Sequence, residues 1–287
     1  MDNIKKYLAY EGRVHIICAE TTELVEEARV KHDLSPVSTA ALGRLLTIGS
    51  IMGTSLKNKD ESITLQIKGN GPLGQLTCVT YGTSNVKGYV TNPQIDIPLK
   101  DNGKLDVGGA VGNEGFLYII KDTGLKEPYV GITSLVSGEI AEDFIKYFSE
   151  SEQKPGVIAL GVLVDSKGVK KAGGYFITLM PDATEEDINR LTNTFSNIKP
   201  ISTMLEENMT LDEIAKTVTG DKNIIPMLLQ INPKYECTCS KEKFLNGLTT
   251  LKTENIEEIF DKQETIETVC RFCNKKYYFT KEDILQD

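Results

Sequence analysis

Apolar residues recur at every second position in ITLQIKG (Ile63 to Gly69), QLTCVTYG (Gln75 to Gly82) and VKGYVTN (Val86 to Asn92). That alternation is the signature of strands with one buried face, and the turn residues between them predict an antiparallel meander. FLYIIKD (Phe116 to Asp122), VIALGVLVD (Val157 to Asp165) and GYFITLM (Gly174 to Met180) read as further strands. Two stretches break the period. The most apolar one, Ala40 to Leu56, contains Arg44 and several glycines, so it is too interrupted to span a bilayer and reads as a buried helix. Gly138 to Phe148 places Ile140, Phe144, Ile145 and Phe148 on one helical face. Mixed strands and helices over residues 1–180 predict an α+β domain.

The texture changes after Pro181. Ile188, Leu191, Phe195 and Ile198 fall at helical spacing, and Thr210-Leu-Asp-Glu213 is a capping box with Gly220 as its stop. Residues 181–231 therefore read as a helical linker, acidic with nine acids against four bases from Asp182 to Ile231. Helices this short are marginal alone and depend on docking. Residues 232–287 form a small third segment, with cysteine pairs on either side of the helical stretch ENIEEIFDKQE. So short a segment builds little hydrophobic core, and a metal staple is physically expected.

Composition narrows the partners. The 287 residues carry a formal net charge of -9, which disfavours attraction to nucleic acid or to an anionic membrane. The N-terminus MDNIKKYLAYEGRVHII lacks a secretory apolar run, so a cytoplasmic location is expected. In a reducing compartment, paired cysteines point to metal binding or redox chemistry rather than to permanent disulfides. Cys18 and Cys78 stand alone in strand-like surroundings and read as inert core residues.

The other four cysteines form Cys237-Thr-Cys239 and, thirty residues on, Cys270-Arg-Phe-Cys273. Two thiolate pairs supply the tetrahedral quartet that zinc favours. A structural zinc knuckle is one reading. A redox-responsive centre is the other, because metal-bound sulfurs stay deprotonated and thiolates are what oxidants attack. Lys234, Lys241, Lys243, Arg271, Lys275 and Lys276 flank the pairs and can offset the negative charge of a four-thiolate site. A thioredoxin-type use of the second pair lacks the βαβ unit it needs. Gly69-Asn-Gly71-Pro-Leu-Gly74 matches the dinucleotide pattern in letters, but a strand rather than a helix follows it, so a hairpin turn is expected. His15 and His32 have no acid or nucleophile partner motif. A zinc-ribbon nucleic-acid binder and a thiol oxidoreductase remain as competing classes.

Taken together, SPVSTAALGRLL (Ser35 to Leu46), GNGPLG (Gly69 to Gly74), GYVTNP (Gly88 to Pro93), GLKEPYVG (Gly124 to Gly131), LVSGEIAEDF (Leu135 to Phe144), AGGYFITLMP (Ala172 to Pro181), ECTCSKEKF and VCRFCNKKYYFT closely resemble the heat shock protein 33 family of redox-regulated bacterial holdase chaperones. The resemblance runs nearly end to end. It implies a core domain, a helical linker and a small C-terminal zinc-binding domain, with Cys237, Cys239, Cys270 and Cys273 holding one zinc ion in the reduced form. It further implies Cys237–Cys239 and Cys270–Cys273 disulfides on oxidation, zinc release and linker unfolding. The resemblance also implies that the active form is a homodimer that binds unfolding client proteins without ATP and without enzymatic turnover. Ile188, Leu191, Phe195, Met204 and Leu205 are candidate client-binding residues, because unfolding would bare their apolar faces.

Overall fold

The chain begins with a hairpin, β1 (Asn3–Ala9) and β2 (Val14–Glu20), in a computed structural model that describes residues 1–195, 198–251 and 253–284. Tyr10, Glu11 and Gly12 all take positive φ at its tip, which turns the chain within three residues. Helices α1 (Thr22–His32) and α2 (Pro36–Gly53) follow. The buried Asp2 carboxylate accepts the Glu23 and Leu24 amides at 2.9 and 2.7 Å, satisfying two orphan donors at the start of α1. Ser35 caps α2 and Pro36 opens it, and nearly every residue of that helix is buried.

The anticipated meander is β3 (Ser62–Gly69), β4 (Gln75–Tyr81) and β5 (Val86–Val90). After the short α3 (Val107–Val111) come β6 (Gly115–Asp122) and β7 (Tyr129–Ser134), completing an antiparallel sheet of order β5-β4-β3-β6-β7. The glycine-rich Gly69–Gly74 segment is the β3–β4 turn, lying against the backbone of α3. A Cβ at Gly71 would sit 2.3 Å from the Ala110 carbonyl oxygen, so close backbone approach, not phosphate binding, explains that glycine. Helix α4 (Ala141–Glu150) and the hairpin β8 (Gly156–Asp165) and β9 (Gly168–Leu179) close the core domain.

Helices α5 (Glu185–Phe195), α6 (Ile201–Glu206) and α7 (Leu211–Thr219) fill the region expected to be helical, with the Thr210–Glu213 capping box in place and Gly220 left-handed. The expectation of helix as far as Ile231 is corrected: Ile225–Ile231 is a strand, β10, paired antiparallel with β1. Its apolar run IPMLLQI has no alternation to distinguish strand from helix, and the open edge of β1 decides the matter. The second sheet is thereby β10-β1-β2-β9-β8.

This sheet is buried on both faces. Ile4, Ala19, Ala172 and Phe176 join α1, α2, α4 and the first sheet in the main core. Tyr7, Val14, Ile16, Cys18, Tyr175 and Ile177 form a separate core with Leu191, Ile201, Met204, Leu205, Ile214 and Val218 of α5–α7. The first unit, Met1–Tyr235, is thus two sheets with helices between them and a further helical layer outside. Among the described residues no helix is long and apolar enough to cross a membrane.

The second unit, Glu236–Asp287, holds α8 (Lys241–Leu248), α9 (Thr253–Phe260), a hairpin of β11 (Ile266–Val269) and β12 (Lys276–Phe279), and α10 (Lys281–Ile284). Its core is small: among the described residues, Ile256, Ile266, Tyr277, Phe279 and Ile284 are the buried members of its one hydrophobic cluster.

Candidate metal centre

Each cysteine pair sits where the backbone turns. Cys237 and Cys239 lie just before α8, whose first turn is capped by Ser240 accepting the Lys243 amide. Cys270 and Cys273 occupy the β11–β12 turn. There the Cys270 carbonyl accepts the amides of Cys273 at 3.2 Å and Asn274 at 2.8 Å, and Asn274 takes a left-handed φ of 57°. The Cys270 amide donates to the Lys275 carbonyl at 2.9 Å, closing the turn. These bonds aim both sulfurs of the pair to one side, toward the segment before α8.

All four sulfurs converge to within 4.8 Å of one another, with Cys237 and Cys270 Sγ 3.7 Å apart and Cys239 and Cys273 Sγ 3.4 Å apart. A tetrahedral zinc with bonds of about 2.3 Å requires sulfur separations of roughly 3.8 Å. The donor set and its spacing therefore fit zinc without rearrangement of the backbone. The close contacts cross from one pair to the other, as they must when two pairs share one ion.

The thiols are not equivalent. Burial, reinforced by the neighbouring thiols, raises the pKa of Cys237, and burial likewise raises that of Cys273. Burial acts in the same direction on Cys239, but hydrogen bonds from the Tyr277 hydroxyl and the other thiols outweigh it and bring this group down to about 7. Tyr277 went unnoticed in the sequence. The alternation of KYYF places it on the sulfur side only once the β11–β12 register is known, with Tyr277 opposite Thr268.

Several flanking cations are engaged elsewhere. Lys241 pairs with Asp283 at 3.2 Å, Lys276 pairs with Glu267 at 3.0 Å, and Lys243 Nζ donates to the Thr238 carbonyl at 2.8 Å. Cys18 and Cys78 are fully buried, with thiol pKa values raised by that burial. His32 Nε2 lies 2.9 Å from the Tyr235 hydroxyl, which donates to the Gly88 carbonyl. His15 is half-buried, and burial lowers its pKa.

Of the candidate client-binding residues, Leu191, Met204 and Leu205 are buried in the core beneath α5–α7. Phe195 is partly buried there, 6.5 Å from Tyr175 ring to ring, while Ile188 is 42% exposed. The helices are fastened by polar contacts as well. Arg13 holds the buried Asp187 through two bonds of 2.7 and 3.2 Å, and Tyr7 donates to Asp212 at 2.6 Å. Arg190 stacks over the Tyr10 ring at 4.4 Å and donates to the Gly220 carbonyl.

Comparison with known proteins agrees with this arrangement. A family model described as Hsp33 protein matches residues 2–280. A 33 kDa chaperonin of Clostridium beijerinckii is 43% identical over 284 residues, covering 99% of this chain and 97% of the relative. One from Clostridium botulinum strain Alaska E43 is 46% identical over 286 residues, covering 99% and 96%. The crystal structure of the 33 kDa chaperonin of Thermotoga maritima superposes with a TM-score of 0.91 at 36% identity, over 98% of this chain and 96% of that one.

Proposed function

The chain belongs to the Hsp33 family, and from that premise we propose that it is a redox-regulated, ATP-independent chaperone that holds unfolding proteins stoichiometrically. The observation that carries this reading is the convergence of the Cys237, Cys239, Cys270 and Cys273 sulfurs. In the reduced protein these thiolates hold one zinc ion, which supplies charge neutralisation and a covalent staple to a unit with a small core. Peroxide removes two electrons from each pair and is itself reduced to water, leaving Cys237–Cys239 and Cys270–Cys273 disulfides. The ligands are then consumed. Structural zinc supplies about 10–16 kcal/mol of apparent folding free energy in finger peptides, as much as or more than the whole stability of a typical domain.

Loss of that staple unfolds the second unit and frees the chain beyond Tyr235. The linker, residues 181–231, contains helices short enough to depend on docking, and α5–α7 leave the sheet. Their departure bares Tyr7, Val14, Ile16, Tyr175 and Ile177 along with Ile188, Leu191, Phe195, Met204 and Leu205, the apolar surface that unfolding clients bind. The active form is a homodimer in the cytoplasm, acting on proteins and not on nucleic acid or membranes.

The test follows zinc release, free thiols and suppression of aggregation of an unfolding client during peroxide treatment at mild heat. Zinc release, loss of four thiols and onset of holding activity should run together. Activity that is the same before and after oxidation would sink the switch. Serine replacements at Leu191, Phe195, Met204 and Leu205 that left oxidised protein fully active would remove the linker from the client surface.

A further inference from the structure

The Tyr277 hydroxyl lies 3.1 Å from Cys239 Sγ. We propose that Tyr277 is a positioning residue of the cysteine centre: its O–H donates to the Cys239 thiolate and makes that sulfur the slowest of the accessible ligands to react with oxidants and alkylating agents. This inference rests on the preceding reading that the four cysteines hold zinc.

The direction of the bond follows from the chemistry. A zinc-bound cysteine sulfur has given up its proton, so the shared hydrogen belongs to the phenol oxygen. The donor is held in place. Tyr277 is 7% exposed, its ring is 5.1 Å from that of Phe244 on α8, and the Lys275 ammonium stands 5.3 Å from the centre of the Tyr277 ring. A clamped ring loses little further freedom when its hydroxyl bonds to sulfur. Hydrogen bonds from the shell around a metal site hold its ligands in place and tune their electronics, and to a thiolate they draw negative charge away from the sulfur.

The other accessible sulfurs are served differently. Cys237 Sγ meets Cys270 Sγ at 3.7 Å and Cys273 Sγ meets Cys239 Sγ at 3.4 Å, sulfur against sulfur. Among the described residues, Cys239 alone of these three takes a side-chain hydroxyl, and it comes from a residue outside both pairs. Cys237, Cys239 and Cys273 are all partly exposed, so access does not separate them, whereas Cys270 is buried. In the first step of oxidation a thiolate lone pair attacks one peroxide oxygen, the O–O bond breaks, and the products are a sulfenic acid and hydroxide. A second thiolate then attacks that sulfur and expels another hydroxide, closing the disulfide, and both hydroxides take protons to become water. A lone pair already engaged by the Tyr277 proton is less available for the first attack.

The experiment compares full-length, zinc-loaded wild-type protein with Tyr277→Phe, which keeps the ring, and with Tyr278→Phe at a 52% exposed neighbour on the same strand. Zinc content is measured first, then the rate of zinc release to excess chelator and to peroxide. Mass spectrometry then identifies the first sulfur modified by a substoichiometric alkylating agent. Tyr277→Phe should release zinc about tenfold faster and bring Cys239 among the first sulfurs modified, while Tyr278→Phe follows wild type. Equal rates in all three zinc-loaded proteins overturn this proposal alone. So does Cys239 being the first sulfur modified in the wild-type protein, whatever Tyr277→Phe does. Wild-type protein that carries no zinc overturns the reading of the preceding subsection, and this one with it.

Discussion

The Asp143 carboxylate is wholly buried and gathers the amides of Val136, Ser137, Gly138 and Ile140, at 2.7 to 3.4 Å. It thereby holds Ile140 at a φ of 73°, a conformation a β-branched residue adopts only under constraint. The same loop delivers Glu139, which accepts from Arg44 at 2.6 Å in the middle of α2 and from Lys100. Replacing Asp143 by Ala strands several buried donors and should cost about 3 kcal/mol, read as a lower urea midpoint with an unchanged slope. A midpoint within error of wild type would mean that water replaces the carboxylate. At this scale the sequence is uneven. The four cysteines stand out by spacing alone, since two close thiol pairs have few other uses in a reducing compartment. Asp143 and Tyr277 do not, because what they touch is set by loop geometry and strand register, and neither can be seen in a helical face or a motif.

Among the elements, the β1–β2 hairpin tip and α5 are joined by Arg13 and Asp187. The Arg13 guanidinium holds the Asp187 carboxyl well below the usual carboxylate range, against the opposing effect of burial. A depressed folded pKa contributes stability above the unfolded value of about 4, and that contribution is lost as the pH falls through the depressed value. Asp187→Asn should therefore lower the urea midpoint of the reduced protein at pH 7, and the gap from wild type should shrink below about pH 4. A gap that stays constant with pH would assign the effect to something other than this charge. Strands β3 to β6 and α2 were legible because each has a single packing demand that repeats along the sequence, whereas β7 was not read as a strand. β10 was not, for its residues satisfy a helix as readily as a strand until β1 offers an edge. β1 and β2 were obscured for a related reason: apolar residues on both faces of a doubly covered sheet erase the alternation on which strand reading depends.

For the whole molecule, the two units differ in what holds them. The first has two extended cores, whereas the second has one small cluster and the cysteine centre. Removing zinc with a chelator under reducing conditions should abolish a separate calorimetric transition of the second unit and release α5–α7, while the two sheets and the helices between them keep a transition of their own. Limited proteolysis should then cut beyond Glu236 and within the released segment 180–224, while the remainder resists. Parallel loss of both transitions would mean that the first unit cannot stand without the second. The α+β architecture was legible from the alternation of strand and helix periods, but the double covering of one sheet was not, since it depends on how distant segments stack. β10 gives that covering layer a further property. Because β9 and β10 both belong to the sheet beneath it, the segment 180–224 is a loop tied down at each end. Helices that come away while both strands stay paired remain on a short leash, and their return is a local search whose entropic cost grows only slowly with loop length. Under the proposed switch, a chaperone built this way would be reset after stress from its own chain, with the old seat always within reach.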